Sequence, residues 1–157
     1  MHEDVAERAE PPERDTAPRL AIGVDLVKVE RVRRLLEDNP AAEAELFTPR
    51  EIAYCAGRRN RYAHLAARFA AKEATLKALG TGLGPRLRWT DVEVRNEPLG
   101  RPRIHLHGTA AELAGGPGGW SGEISLSHTD DYAVAQTVLT LTAPRRPAPE
   151  GAACAST

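Results

Sequence analysis

Arg68-Phe69-Ala70-Ala71-Lys72-Glu73-Ala74-Thr75-Leu76-Lys77-Ala78-Leu79 is the stretch on which the reading of this chain turns. It closes the longest helical segment, Arg61 to Leu79, where an alanine-rich composition favours helix and Gly80 supplies the C-terminal stop. At helical spacing Leu65, Phe69, Leu76 and Leu79 form one apolar stripe. Lys72 falls inside that stripe, and Glu73 and Lys77, one turn apart, run along its edge. A glutamate four residues before a lysine is ordinarily a surface ion pair worth about 0.2–0.5 kcal/mol. This pair borders the buried side of its helix instead of lying opposite it, which sets it apart.

Upstream, Leu20 to Val29 reads as a strand, with Ile22, Val24 and Leu26 on one face and Gly23, Asp25 and Val27 on the other. Asp25 is anomalous there. Aspartate is depleted in strands, and a buried carboxylate needs a cation or strong donors, whether a salt bridge or a helix cap supplies them. A helix is expected from about Glu30 to Glu37, ending before Asn39-Pro40. Thr48-Pro49-Arg50-Glu51 is a helix start with a capping box and proline at the first position; that helix runs to about Ala56, before Gly57. Downstream, Leu87 to Val94 and Pro102 to Leu106 read as strands around an Asn96–Gly100 turn. Gly108 to Ala114 reads as a short helix, and Trp120–Ser127 with Tyr132–Leu141 as a hairpin. Strand, three helices, two strands, short helix and two strands make an α+β single lobe, with helices packed on a mainly antiparallel sheet.

The chain has 157 residues, enough for one core, and a formal net charge of −1. Both ends read as disordered. In residues 1–18, Glu3, Asp4, Glu7, Glu10, Glu13 and Asp15 face only Arg8 and Arg14; residues 143–157 are proline-rich with no apolar periodicity. Residues 19–142 hold the folded domain and are mildly basic. That balance is too thin for nucleic acid but suits an acidic partner or a phosphate-rich ligand. No apolar run approaches a membrane span and no signal-peptide core is visible, so no membrane association and a cytoplasmic address are expected. Cys55 and Cys154 stand in no metal or redox spacing and read as reduced thiols.

Two further groups bear on chemistry. Ser127-His128-Thr129 ends a strand whose Ile124, Leu126 and His128 share a face, so His128 projects at the sheet rim. A histidine there is commonly structural. His105 and His107 share a strand face but have no acidic or cysteine partner nearby in sequence. Arg31, Arg33, Arg34 and then Arg58, Arg59, Arg61 are solvated faces, or a dock for an acidic partner.

Taken together, Ile22-Gly23-Val24-Asp25, Arg31, Phe47-Thr48-Pro49-Arg50-Glu51, Arg68 to Ala74, Lys77 to Gly82, Asp91 to Val94, Gly100-Arg101-Pro102, Leu126 to Thr129 and Ala133-Val134-Ala135 resemble the holo-acyl-carrier-protein synthase family of phosphopantetheinyl transferases. The resemblance covers about residues 20–140. It implies a transferase that moves the 4'-phosphopantetheine arm of coenzyme A onto a serine of an apo acyl, peptidyl or polyketide carrier protein, with Mg²⁺ as cofactor. Asp25 and Glu73 would hold the ion with pyrophosphate oxygens. Lys77 would add charge at the transferring phosphate, and Glu73, directly or through water, would take the serine proton. Arg68, Gly80, Thr81, Gly82, Arg101, Pro102, Ser127, His128 and Thr129 would contact coenzyme A, the glycines by letting backbone come close. Arg31, with Arg33 and Arg34, would dock the acidic carrier. The chain lacks the further acid that a longer, two-lobed branch carries two residues after the aspartate, where Leu26-Val27 are simply followed by Lys28-Val29; it therefore resembles the small branch, which implies a homotrimer with active sites between subunits. Two rivals remain on the sequence. A magnesium-dependent nucleotide-diphosphate hydrolase would consume coenzyme A without a carrier. A module that only holds carriers would bind them without adding mass.

Overall fold

The structure, a computed structural model, describes residues 17–142. The chain runs β1 (Arg19–Lys28), α1 (Val29–Asp38), α2 (Ala42–Leu46), α3 (Pro49–Ala56), α4 (Arg61–Leu79), a 3₁₀ turn (Trp89–Asp91), β2 (Val92–Asn96), β3 (Pro102–Leu106), α5 (Gly108–Leu113), β4 (Trp120–His128) and β5 (Tyr132–Leu141). Strands β1, β5 and β4 form one antiparallel sheet in that order, and β2 and β3 form a separate antiparallel hairpin. The α+β lobe expected from the sequence is therefore present. The readings of residues 1–18 and 143–157 as disordered fall almost wholly outside the described residues.

Strict alternation sets the sheet's two faces. Ala133, Ala135, Thr137, Leu139 and Leu141 of β5 are buried beneath α4, as are Ala21, Gly23 and Val27 of β1. The other face stays bare: Leu20, Ile22, Val24 and Leu26 of β1 are between 57% and 64% exposed, and Tyr132 and Val134 of β5 continue the patch. Helix α4 does not rest on one leucine stripe. Ala63, Ala66, Ala67, Ala70, Ala71, Ala74 and Ala78 are all buried, while Phe69 and Leu79 are only partly covered. The sheet lies against one side of α4, and α3 with β2 against another; short side chains let these neighbours close in around it.

The capping box at Thr48 and Glu51 forms as read, and Glu51 also does something the box conceals. Its carboxylate is fully buried, accepts from the backbone N–H of Thr48 (2.9 Å) and Val94 (2.9 Å), and pairs with the buried Lys72 at 2.8 Å. Lys72 also donates to the carbonyls of Trp89 (3.1 Å) and Val92. Burial pulls the Lys72 ammonium below its ordinary range, against the pull of Glu51 and Glu93. The lysine inside the apolar stripe is thus the bolt that joins α3, α4 and β2. Nearby, burial opposes the charge on Glu93, but bonds from Arg95, His107 and Thr48 outweigh it and hold that carboxyl down at about 2.

Two local expectations need correction. There are four helices, not three, before β2, because Ala42–Leu46 forms a short α2 without side-chain caps. The strand expected to begin at Leu87 begins at Val92; Asp91 instead takes the N–H of Arg88 (3.1 Å) and winds Trp89–Asp91 into a 3₁₀ turn.

Candidate active site

Asp25, Glu73 and Lys77 come together where α4 crosses β1. The Lys77 ammonium donates to the Asp25 carboxylate at 2.8 Å and to the carbonyl of Val24 at 3.2 Å. The Asp25 side chain is 15% exposed and that of Lys77 55%, so a largely sheltered acid meets a cation reaching in from solvent. Burial first, and then the Asp25 charge, push the Glu73 carboxyl above its ordinary range, against Lys77 and Arg31. The bond to Asp25 raises Lys77 in turn. A partly buried carboxyl opposed by a neighbouring carboxylate is what a divalent cation relieves. Among the described residues no three His, Cys, Asp or Glu side chains gather as a metal group. Two carboxylates nonetheless suit an ion that takes its remaining ligands from phosphate and water, as Mg²⁺ does.

Arg31, on α1, is close enough for its charge to act on Glu73. Arg33 and Arg34 both bind Glu30 of their own helix, at 2.7 Å and 2.8 Å. The structure thus separates the three arginines: one faces the acids and two are engaged elsewhere. Gly80 ends α4 in the left-handed conformation (φ 73°), and Thr81 and Gly82 follow at the Lys77 end of the helix. The Thr81 hydroxyl donates to the Gly82 carbonyl at 2.9 Å.

A second cluster lies on the other side of α4. Arg68 is buried and donates to Asn96 of β2 at 2.6 Å; Asn96 in turn donates to the Gly100 carbonyl, tying Arg68 to the turn that carries Arg101 and Pro102. Arg68 and Arg58 both lie over the Tyr54 ring, 4.1 Å and 4.3 Å from its centroid. His64 meets Tyr54 edge-on, and His128 meets His64 edge-on at 4.7 Å. Burial lowers His64, aided by His128, Arg68 and Arg58. The buried Arg68 Nε has no partner among the described residues. Arg101 binds Glu123 at 2.8 Å on the surface. The Thr129 hydroxyl accepts from the N–H of Tyr132 (3.1 Å) and Asp131 (3.2 Å) and so shapes the β4–β5 turn; Ser127 is exposed beside it.

Asp25 and His128 both point to the helix-covered face, but from opposite edges of the sheet. Asp25 pairs with Ala135 and His128 with Ala133, so two strand spacings, about 10 Å, and the breadth of α4 separate them. The chain therefore carries an acid half and a cationic-aromatic half that lie on opposite sides of α4.

The family model of the 4'-phosphopantetheinyl transferase superfamily matches residues 21–137, a span containing both halves. A holo-[acyl-carrier-protein] synthase of Trichlorobacter lovleyi is 48% identical over 121 residues, 76% of this chain and 96% of its own. The chain belongs to the holo-[acyl-carrier-protein] synthase family. Another such synthase, from Koribacter versatilis, is 44% identical over 76% of this chain and 97% of its own length. Among solved structures, the synthase–CoA complex from Chronobacterium ammoniagenes superposes with a TM-score of 0.69 at 32% identity, covering 78% of this chain and 98% of that one. The Helicobacter pylori synthase in complex with coenzyme A gives 0.65 at 28%, covering 75% and 98%.

Sequence reasoning gave no site role to His64, Tyr54 or Asn96, which the structure gathers around Arg68 and His128. His64 was findable, since it stands one turn before Arg68 and so shares its side of the helix. Asn96 carries no such signal, because its bond to Arg68 joins distant segments. His107 has an acidic partner that its neighbours in sequence did not announce: its imidazole is 2.8 Å from the Glu93 carboxylate.

Proposed function

We propose that this protein transfers the 4'-phosphopantetheine arm of coenzyme A to a serine of an apo acyl carrier protein and releases adenosine 3',5'-bisphosphate, in the presence of Mg²⁺. The observation that carries the reading is the meeting of Asp25, Glu73 and Lys77 at the α4–β1 crossing. The CoA complexes of its structural relatives agree with it.

Asp25 and Glu73 would hold Mg²⁺, which when bound polarises the pyrophosphate and offsets its charge. Glu73, with its affinity for protons raised, accepts the serine proton directly or through water. The serine oxygen forms its bond to the phosphorus that bears the pantetheine arm, and the bond from that phosphorus to the departing bisphosphate breaks. Lys77 has an exposed arm and leaves Asp25 for a phosphate oxygen. Arg68 and His128, with Ser127, Thr129, Arg101 and Pro102, hold the nucleotide end; the Gly80-Thr81-Gly82 turn offers bare backbone to the ligand. With Mg²⁺, coenzyme A and a panel of apo carriers, we expect one carrier to gain about 340 Da, the mass of the arm. Carriers left unmodified throughout, with coenzyme A consumed, would favour the hydrolase.

Because α4 stands between the two halves, one ligand would reach both across neighbouring copies. The bare apolar face of β1 and β5 is the surface that would pack between them. A homotrimer with shared active sites would meet this need, and native mass spectrometry should show three chains per particle. Arg31 is the docking residue for an acidic carrier, with Arg33 and Arg34 as lesser contributors. Replacing Arg31 with alanine should raise the carrier KM about tenfold or more while the coenzyme A KM moves little. Equal losses for both substrates would count against docking. Catalysis in the cytoplasm completes the proposal; among the described residues no helix is long and apolar enough to cross a membrane.

A further inference from the structure

We propose that the contact of Gly23 with the backbone of α4 is a spacing device that sets the gap between Asp25 and Glu73 to the size of Mg²⁺. A Cβ built on Gly23 would lie 1.8 Å from the Ala74 carbonyl oxygen, 2.8 Å from the Ala74 carbonyl carbon and 2.9 Å from the Ala78 nitrogen. All three are backbone atoms, so no side-chain rotation opens the space. At this row no side chain fits between the helix and β1.

The neighbouring strand fixes the helix at the same row. Gly23 pairs in register with Thr137 of β5, and the Thr137 hydroxyl is 3.1 Å from that of Thr75 on α4. Thr75 in turn donates to the Ala71 carbonyl at 2.7 Å. One row of the sheet thus holds Ala74 by contact and Thr75 by a hydrogen bond, which sets both the height and the roll of the helix. The two acids stand next to this anchor. Glu73 immediately precedes Ala74, and Asp25 is two residues beyond Gly23 on the same face of β1. Any lift of α4 at Gly23 passes directly into the distance between the carboxylates.

The size of the ion makes that distance matter. Mg²⁺ demands near-octahedral oxygens at about 2.0–2.1 Å, whereas Ca²⁺ accepts a looser set at about 2.3–2.6 Å. Relieving a 1.8 Å contact to ordinary van der Waals separation moves the helix by about 1.5 Å or more. A methyl group at position 23 therefore weakens both ions, and Mg²⁺ more than Ca²⁺, whose longer bonds and looser geometry absorb part of the opening.

This inference rests on the magnesium reading proposed above, and calorimetry separates the two. Mg²⁺ and Ca²⁺ are each titrated into the coenzyme A-saturated protein. Absence of Mg²⁺ uptake by the wild type overturns the magnesium reading, and the spacing device with it. In Gly23→Ala we expect Mg²⁺ affinity to fall at least about tenfold and Ca²⁺ affinity to fall by a distinctly smaller factor. The double variant Gly23→Ala/Asp25→Glu, whose longer arm spans the widened gap, should recover Mg²⁺ binding to within about threefold of wild type. An unchanged preference between the ions, or no recovery in the double variant, overturns the spacing device alone. Should Gly23→Ala fail to fold, Ala78→Val wedges the same interface against Ala21 and Leu139 and must show the same loss of Mg²⁺ preference. A folded Ala78→Val with wild-type preference overturns the proposal equally.

Discussion

Glu73→Gln reduces carrier modification by about 10³-fold or more, with the fold retained. The substitution keeps the shape of the side chain and removes three things at once: the proton acceptor, half of the carboxylate pair and the charge that balances Lys77 and Arg31. The fold survives because Glu73 receives no structural hydrogen bond or ion pair among the described residues, and losing its charge relieves the repulsion from Asp25. The effect should fall on the chemical step. Single-turnover mass measurement of the carrier reads it, and circular dichroism confirms the fold. A variant within tenfold of wild type would remove Glu73 from both roles and leave the mechanism without a base.

The second large effect is on stability. Lys72→Met should cost about 3–5 kcal/mol, because it leaves the Glu51 carboxylate buried with its cation gone. For a folded core of this size that is a fall of roughly 10–20 °C in melting temperature. A buried ion pair can often be exchanged for apolar side chains at little cost, but not this one. Glu51 also takes the N–H groups of Thr48 and Val94, and Lys72 serves the carbonyls of Trp89 and Val92. Adding Glu51→Leu removes the unpaired carboxylate but orphans the N–H groups of Thr48 and Val94 at about 1–3 kcal/mol each, so it should recover only part of the loss. Urea unfolding at fixed protein concentration measures both variants. Full recovery in the double variant would show that the pair, and not the backbone groups around it, sets the cost.

How much of this was legible in the sequence depends on the range over which each feature is decided. The bounds of α4 were readable to the residue, because alanine content and Gly80 act locally. The capping box at Thr48 was readable for the same reason. The 3₁₀ turn at Trp89 was not. Leu87 and Trp89 alternate as a strand would, and only the Asp91 carboxylate, closing back on Arg88, turns the chain. Helix α2 has neither cap nor length to announce it. Lys72 looked misplaced in an apolar stripe, yet nothing nearby in sequence named Glu51 as its partner. At the site, Asp25, Glu73 and Lys77 stood out as charges where charge is expensive, and the structure gathers them. Their separation from the Arg68 and His128 group across α4 could not be read, since it depends on which sides of the helix the sheet and the β2–β3 hairpin occupy.

The alanine-lined α4 has a consequence for how such a chain can change over time. Ala63, Ala66, Ala67, Ala70, Ala71, Ala74 and Ala78 are already trimmed to a methyl group and enclosed. Every replacement there except glycine adds volume where none is free, and glycine itself loosens the helix by about 1 kcal/mol. Drift along this element has almost no neutral direction. Innovation in such a lineage must come from its rims, its turns and its two ends.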